Sequence, residues 1–322
     1  MNVGAEKDFH NCFYAIRAFH GLEMMALATK QVLDITDQAV ELIRLCACVL
    51  RKDVVDAITV ARNREPEGSM ARSVFDSILE NAKVASQNSI PMCQDTGMPI
   101  FWVHYPKTMS LSDIKAQILK AIKKATSKSY LRPNTIEALT GKNPGDNTGL
   151  GTPAFHFEQW DKKELRVSLL LKGGGSENVS GQYKLPDIPL TASRDLDGVR
   201  RCVLDTLFKA QGEGCAPGVI GVCIGGARDT GYEAAKEALL RDLKDKNNEP
   251  KLRELEERLV KEIDALGIGP MGFGGKTTAL GVKVTTLARH PATYYVTVAY
   301  NCWALRRYSM TITPGKGGVK YD

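Results

Sequence analysis

The chain has 322 residues, of which 43% are hydrophobic and 25% charged, with 29 glycines, 14 prolines and a formal charge of +6. This balance belongs to a globular protein and sets aside collagen-like and broadly disordered chains; no run approaches the roughly 18 apolar residues that a membrane-spanning helix needs. The positive charge is mild and unclustered, so nucleic-acid binding is not expected, whereas an anionic small substrate suits it.

In chain order, residues 1–31 are a poorly patterned extension with acidic Glu6 and Asp8 and no continuous apolar core, which argues against a secretory leader. From Thr36 the pattern is helical, with Ile43, Cys46, Ala47, Leu50, Val54 and Ile58 at spacings of three and four. A second helix is expected over 70–88. A third is expected over 112–127, where Ser110 and Asp113 make a capping box ahead of Ile114, Ile118 and Ile122. After this helical start, strands are expected at 166–171, 218–224, 280–288 and 293–300, and helices at 196–210, 231–246 and 250–266. The alternation predicts an α/β fold, its helical N-terminal part followed by strands and helices around largely parallel sheets. The segment 128–165, rich in Asn, Gly, Pro and Thr, reads as long loops of one domain covering 32–322.

The eight cysteines are too sparse for a disulfide scaffold, and no CxxC pair suggests a zinc ribbon; free thiols fit a reducing, cytoplasmic location. Cys46, Cys48, Cys202 and Cys223 fall within apolar helices or a strand and read as packing, while Cys12 lies in the extension. Cys93, Cys215 and Cys302 differ, because each ends an apolar run beside Gly, Pro or polar residues. Three loop thiols without a fourth suit an iron–sulfur cluster that keeps one iron free as a Lewis acid. Their wide separation matches no local rule, so three free thiols near turns is the competing reading. The strand that runs into KGGGSEN offers backbone N–H groups to an anion, but no Gly-Lys-Ser/Thr follows as a phosphate loop requires.

The segments CQDTG, KGGGSEN, GCAPG, GIGPMGFGGKTTALGVK, ARHPA and NCWALRR occur in this order between 93 and 307. In this the chain resembles the α-subunit, or N-terminal domain, of the class I iron–sulfur fumarase and tartrate dehydratase family, over about residues 33–310. The resemblance implies a [4Fe–4S] cluster on Cys93, Cys215 and Cys302, whose open iron binds a carboxylate and the hydroxyl of malate. It implies substrate contacts from Gln94, Arg132 and Gly175, with the Arg132 guanidinium matching a carboxylate. It implies proton-transfer roles for Asp95, beside a Thr base from the β part of the enzyme, and for His290. Each has a plainer alternative: Asp95 capping a turn, His290 a satisfied structural histidine, Arg132 a surface charge.

Single-chain relatives continue into a C-terminal domain with a GTTTAGR-like loop, which is not found here. The resemblance therefore points to one subunit of a heteromer, an α2β2 assembly with a β subunit, acting on a small dicarboxylic hydroxy acid. The expected reaction is reversible dehydration of (S)-malate to fumarate. L(+)-tartrate dehydration is the alternative; GGKTTALGVK leans to the former and NCWALRR to the latter. A non-catalytic cluster-binding module of the same fold is the reading from another class.

Overall fold

Strand register decides where the loops of this protein meet. The computed structural model describes residues 33–314 and 318–322; the extension 1–31 and Cys12 lie outside the described residues. The chain divides into the units Met1–Asp34 and Ile35–Asp322, and the described helices and strands all belong to the second.

The first helical pattern is two helices, α1 (Thr36–Cys48) and α2 (Lys52–Arg64), separated where Val49 turns extended. No Gly or Pro marks the break. Helix α3 (Met70–Asn88) has Ser69 as its N-cap, its side chain accepting from the Arg72 amide. Strand β1 (Met98–Pro106) leads to α4 (Leu111–Ser127), capped by Ser110. Ile114, Ile118 and Ile122 of α4 are buried at four-residue spacing, and each such side chain contributes about 1.5–3 kcal/mol by leaving water. Strands β2 (Ala154–Trp160) and β3 (Leu165–Lys172), the short helix α5 (Gly174–Asn178) and β4 (Gly181–Lys184) follow. Then come α6 (Leu196–Ala210), β5 (Gly218–Gly225), α7 (Arg228–Ala238), α8 (Pro250–Asp264), β6 (Ala279–Leu287), β7 (Tyr295–Asn301), β8 (Arg307–Ile312) and β9 (Val319–Tyr321). Helix α7 is shorter than its pattern because the Asp242 carboxylate accepts from the Lys244 amide, and its carbonyl from the Asp245 amide, diverting the backbone into a turn.

Two sheets result, β2-β1-β3-β8-β9 and β4-β7-β5-β6. The α/β class and the helical start are as expected, and strand direction narrows the expectation of largely parallel sheets. Parallel pairing is confined to β1–β2 and β5–β6, each linked through a helix, while the other neighbours run antiparallel. Strand β5 is buried on both faces, so it reads as a continuous apolar run. Its Val219 and Cys223 enter one core with α2, α3, α7 and the five-stranded sheet; Ile220, Val222 and Ile224 enter another with α6 and α8. Cys46, Cys48, Cys202 and Cys223 are all buried. No described helix is long and apolar enough to cross a membrane.

One buried ion pair ties the helical part to the sheets. The Arg307 guanidinium donates to the Asp53 carboxylate at the head of α2, with side-chain exposures of 2% and 5%. Asp53 also accepts from the Leu243 amide at 2.9 Å. Burial pushes the Asp53 carboxyl up, but Arg307, the Leu243 amide and Arg51 outweigh it and hold it below its ordinary value. The stability it contributes is therefore complete at neutral pH and is lost as pH falls through the carboxylate range. Asp53→Asn strands a buried guanidinium and is expected to cost about 3–5 kcal/mol in urea unfolding at pH 7, with a smaller difference from wild type at pH 3. A cost under about 1 kcal/mol at pH 7 would contradict this role.

Candidate active site

Strand ends bring the glycine- and cysteine-bearing segments together. In the five-stranded sheet Met98 pairs with Lys172 and Leu170 with Arg307. The residues just before β1 (Cys93–Gly97), just after β3 (Gly173–Gly175) and just before β8 (Cys302–Arg306) therefore share one end of that sheet. In the other sheet Val219 pairs with Asn301, so Cys215, just before β5, and Cys302, just after β7, share an end too. Cys302–Arg306 is the crossing from one sheet to the other.

Main-chain bonds hold each cysteine loop. Met92, beside Cys93, donates its amide to Ala47 in α1 at 3.2 Å and accepts from Asn81 of α3 at 2.8 Å. Cys215 has a left-handed φ of 53°. Its amide donates to the Gly212 carbonyl, and its own carbonyl accepts from the Trp303 amide at 3.2 Å, joining two of the cysteine loops. The glycine-rich segment behind it packs Met271 against Gly212, and the Met271 amide donates to Ala216. The Cys215 thiol, exposed at its outer side, is raised first by the protein walls around it and then by the negative charges of Cys302, Cys93 and Asp95. Burial also raises the Cys302 thiol, opposed by Arg306 and Lys172 and reinforced by Cys93. Cys215 thus lies within electrostatic reach of Cys93, Cys302 and Asp95, and Cys302 within reach of Cys93.

Asp95 is the knot of the polar wall. One carboxylate oxygen accepts from the Gly97 amide at 2.9 Å and from the Asn134 side-chain amide at 3.5 Å; the other accepts from the Gly174 amide at 2.7 Å. The Asp95 carbonyl accepts from the Arg306 guanidinium. Thr96 bonds both the amide and the carbonyl of Arg132, at 3.2 and 3.4 Å, placing 131–134 beside the cysteine loop. The Arg132 guanidinium is exposed and makes no ion pair or hydrogen bond among the described residues. Gln94 is exposed next to Cys93, as are Gly174 and Gly175.

His290 is not brought to this group. It follows β6, whose last residue, Leu287, pairs with Gly225 at the far end of β5 from Cys215. Six strand steps, Val219 to Gly225, separate the two ends by about 20 Å. There His290 is exposed, and its Nδ1 accepts from the Ala292 amide at 3.1 Å.

Two residues with no assigned role from sequence also line the site. Lys172 is 2% exposed, its ammonium donating to Ser176 at 2.9 Å and lying 3.1 Å from Glu177; burial lowers its pKa to about 8 despite Glu177. Arg306 is 3% exposed. Both sit inside the segments KGGGSEN and NCWALRR, but nothing in an apolar-to-polar boundary says that a cation is buried. Among the described residues no three His, Cys, Asp or Glu side chains close on a point as a single metal ion requires.

The family model of fumarate hydratase (fumerase) matches residues 36–311. The chain belongs to this family. It is 49% identical over 273 residues to a Geobacillus stearothermophilus protein provisionally named fumarate hydratase class I, covering 84% of this chain and 53% of that protein. The chain thus spans about half the length of that relative. It is 36% identical over 278 residues to a Methanocaldococcus jannaschii protein provisionally named L(+)-tartrate dehydratase subunit alpha, covering 85% of this chain and 95% of that one. With the Escherichia coli K12 L(+)-tartrate dehydratase subunit alpha it shares 31% identity over 296 residues, 90% of this chain and 95% of the relative.

Within this fumerase domain, Gly97 is the tightest point of the site. Its φ is +82°, and an added Cβ would stand 2.8 Å from the Leu171 carbonyl carbon and 2.9 Å from the Lys172 amide nitrogen. Neither neighbour is a flexible side-chain tip. Gly97→Ala is expected to cost at least about 1–3 kcal/mol in chemical denaturation, from backbone strain alone; a change within about 0.5 kcal/mol would contradict the packing.

Proposed function

We propose that residues 32–322 form the cluster-binding part of an iron–sulfur hydro-lyase that reversibly dehydrates (S)-malate to fumarate. What carries the reading is the convergence of Cys93, Cys215 and Cys302, from three separate loops, in a chain of the fumarate hydratase family. The donor set fits a [4Fe–4S] cluster: three free thiols offer one ligand to each of three irons and leave the fourth iron without a protein ligand. Such a cluster would supply Lewis-acid polarisation of substrate oxygens through the iron that no cysteine holds.

The chain's own residues bind and orient. Arg132, whose guanidinium has no partner among the described residues and whose backbone is held by Thr96, forks onto a substrate carboxylate. The Gln94 amide and the open backbone at Gly175 fix the rest of the dicarboxylate. Asp95 keeps CQDTG against the glycine turn through its three donors and orients the proton acceptor that a β subunit contributes. His290 is out of reach in the same chain, so a proton-carrying role for it requires a second chain. The β partner, in an α2β2 heteromer, is suggested by the relatives named as alpha subunits, 95% of whose length is matched. The seven described cysteines are free, as in a reducing cytoplasm. The same relatives favour a second reading, L(+)-tartrate dehydration to oxaloacetate.

Anaerobic assays of kcat/KM on malate, tartrate and mesaconate decide between substrates; malate is expected to be preferred, and a preference for tartrate would replace the first reading by the second. Purified alone, the chain is expected to turn over malate weakly or not at all and to gain activity with a β subunit; full dehydration by the chain alone would refute the need for a partner. Asp95→Asn is expected to lower kcat about 10²–10⁴-fold, the range of a proton-transfer contribution, while iron content stays unchanged.

A further inference from the structure

Two consecutive arginines end the turn that carries Cys302, and both are buried, Arg306 to 3% and Arg307 to 2% exposure. Arg307 has a carboxylate partner, Asp53. Arg306 has none among the described residues. One of its nitrogens donates to the Asp95 carbonyl, another lies 3.1 Å from where a Cβ on Gly173 would stand, and Nε is buried without an acceptor. Arginine does not shed its proton, and a charge out of water without a counter-ion is costly. The nearby Asp95 carboxylate is occupied by the Gly97, Asn134 and Gly174 donors.

The rest of the floor does not absorb this charge. Lys172 lies 3.1 Å from Glu177, and the same carboxylate takes Lys236 at 2.5 Å, so two lysines share one anion. Three cations stand against Glu177 and Asp95. Arg306 itself ends the five-residue crossing that begins at Cys302, and its bond to the Asp95 carbonyl lies in the loop that carries Cys93.

The geometry points to Arg306 as a positioning residue that clamps the CQDTG loop against the Gly173 turn and supplies the fixed counter-charge for an anionic cluster on Cys93, Cys215 and Cys302. The clamp is visible in its bond to Asp95, and the counter-charge rests on the proposed function. A cluster bound by three thiolates is anionic and becomes more so on reduction, so a buried cation beside it favours the reduced state. A buried guanidinium with Nε unpartnered and no carboxylate beside it among the described residues fits that role.

The test uses the full chain, reconstituted without oxygen, as wild type, Arg306→Gln and Arg306→Lys. Iron and sulfide are counted, and the cluster potential is titrated by EPR of the reduced form. Arg306→Gln is expected to shift the potential to more negative values, and Arg306→Lys, which keeps the charge but not the fork, to hold it near wild type. Faster hydrogen exchange at the Gly97 and Gly174 amides is expected in both variants. An unchanged potential in a loaded Arg306→Gln protein, or equal shifts in both variants, overturns the counter-charge. Should Arg306→Gln fail to load, the lysine variant decides: wild-type potential supports the inference and a shifted one overturns it. A wild type that takes up no iron refutes the cluster reading itself and this inference with it, which separates the two failures.

Discussion

The five residues Cys302–Arg306 carry the chain out of β7 in one sheet and into β8 in the other. Because β7 runs antiparallel to β5, and β8 antiparallel to β3, the crossing necessarily meets the entry to β5 and the exit from β3. The entry to β1 joins them through its own antiparallel pairing with β3. A one-residue slip in any of these ladders would turn every side chain to the opposite face, so two hydrophobic cores enforce the meeting. The site is thus a consequence of register, and no segment that contributes to it depends on contacts within its own loop alone.

Charge is the second constraint. The crossing drags two guanidinium groups out of water, and they are handled differently. Arg307 is neutralised by Asp53 and fastens α2 to the sheets. Arg306 is committed to main-chain oxygen and has no carboxylate partner among the described residues. The first arrangement is architectural, because it ties α2 to β8 across 254 residues of sequence. The second is the arrangement from which the counter-charge role of Arg306 is inferred.

Much of this was legible in the amino-acid sequence. Helices at Met70–Asn88 and Leu111–Ser127 follow their apolar spacing, the second behind its Ser110 cap. The strand Gly218–Gly225 is a continuous apolar run because both faces are buried. Other elements left no local signal. Val49 breaks the first helix without Gly or Pro, and β2 is a half-exposed strand, AFHFEQW, lying inside a stretch that composition assigns to loops. At the site, Cys93, Cys215 and Cys302 stand out because a thiol at the edge of an apolar run has no packing purpose. Lys172 and Arg306 do not, since burial of a cation is decided by which strands happen to be neighbours. His290 is the reverse case: a motif residue whose strand direction carries it to the end of the sheet away from Cys215.

The central claim is that three thiols, and no others in this chain, hold a four-iron cluster, and metal content tests it most directly. Wild-type protein prepared without oxygen should contain roughly four iron and four sulfide per chain. That content should fall on replacing Cys93, Cys215 or Cys302 with Ser and persist in Cys202→Ser and Cys223→Ser. Wild type without iron, or equal losses from the buried cysteines, would contradict the account and leave the fold as a binding module.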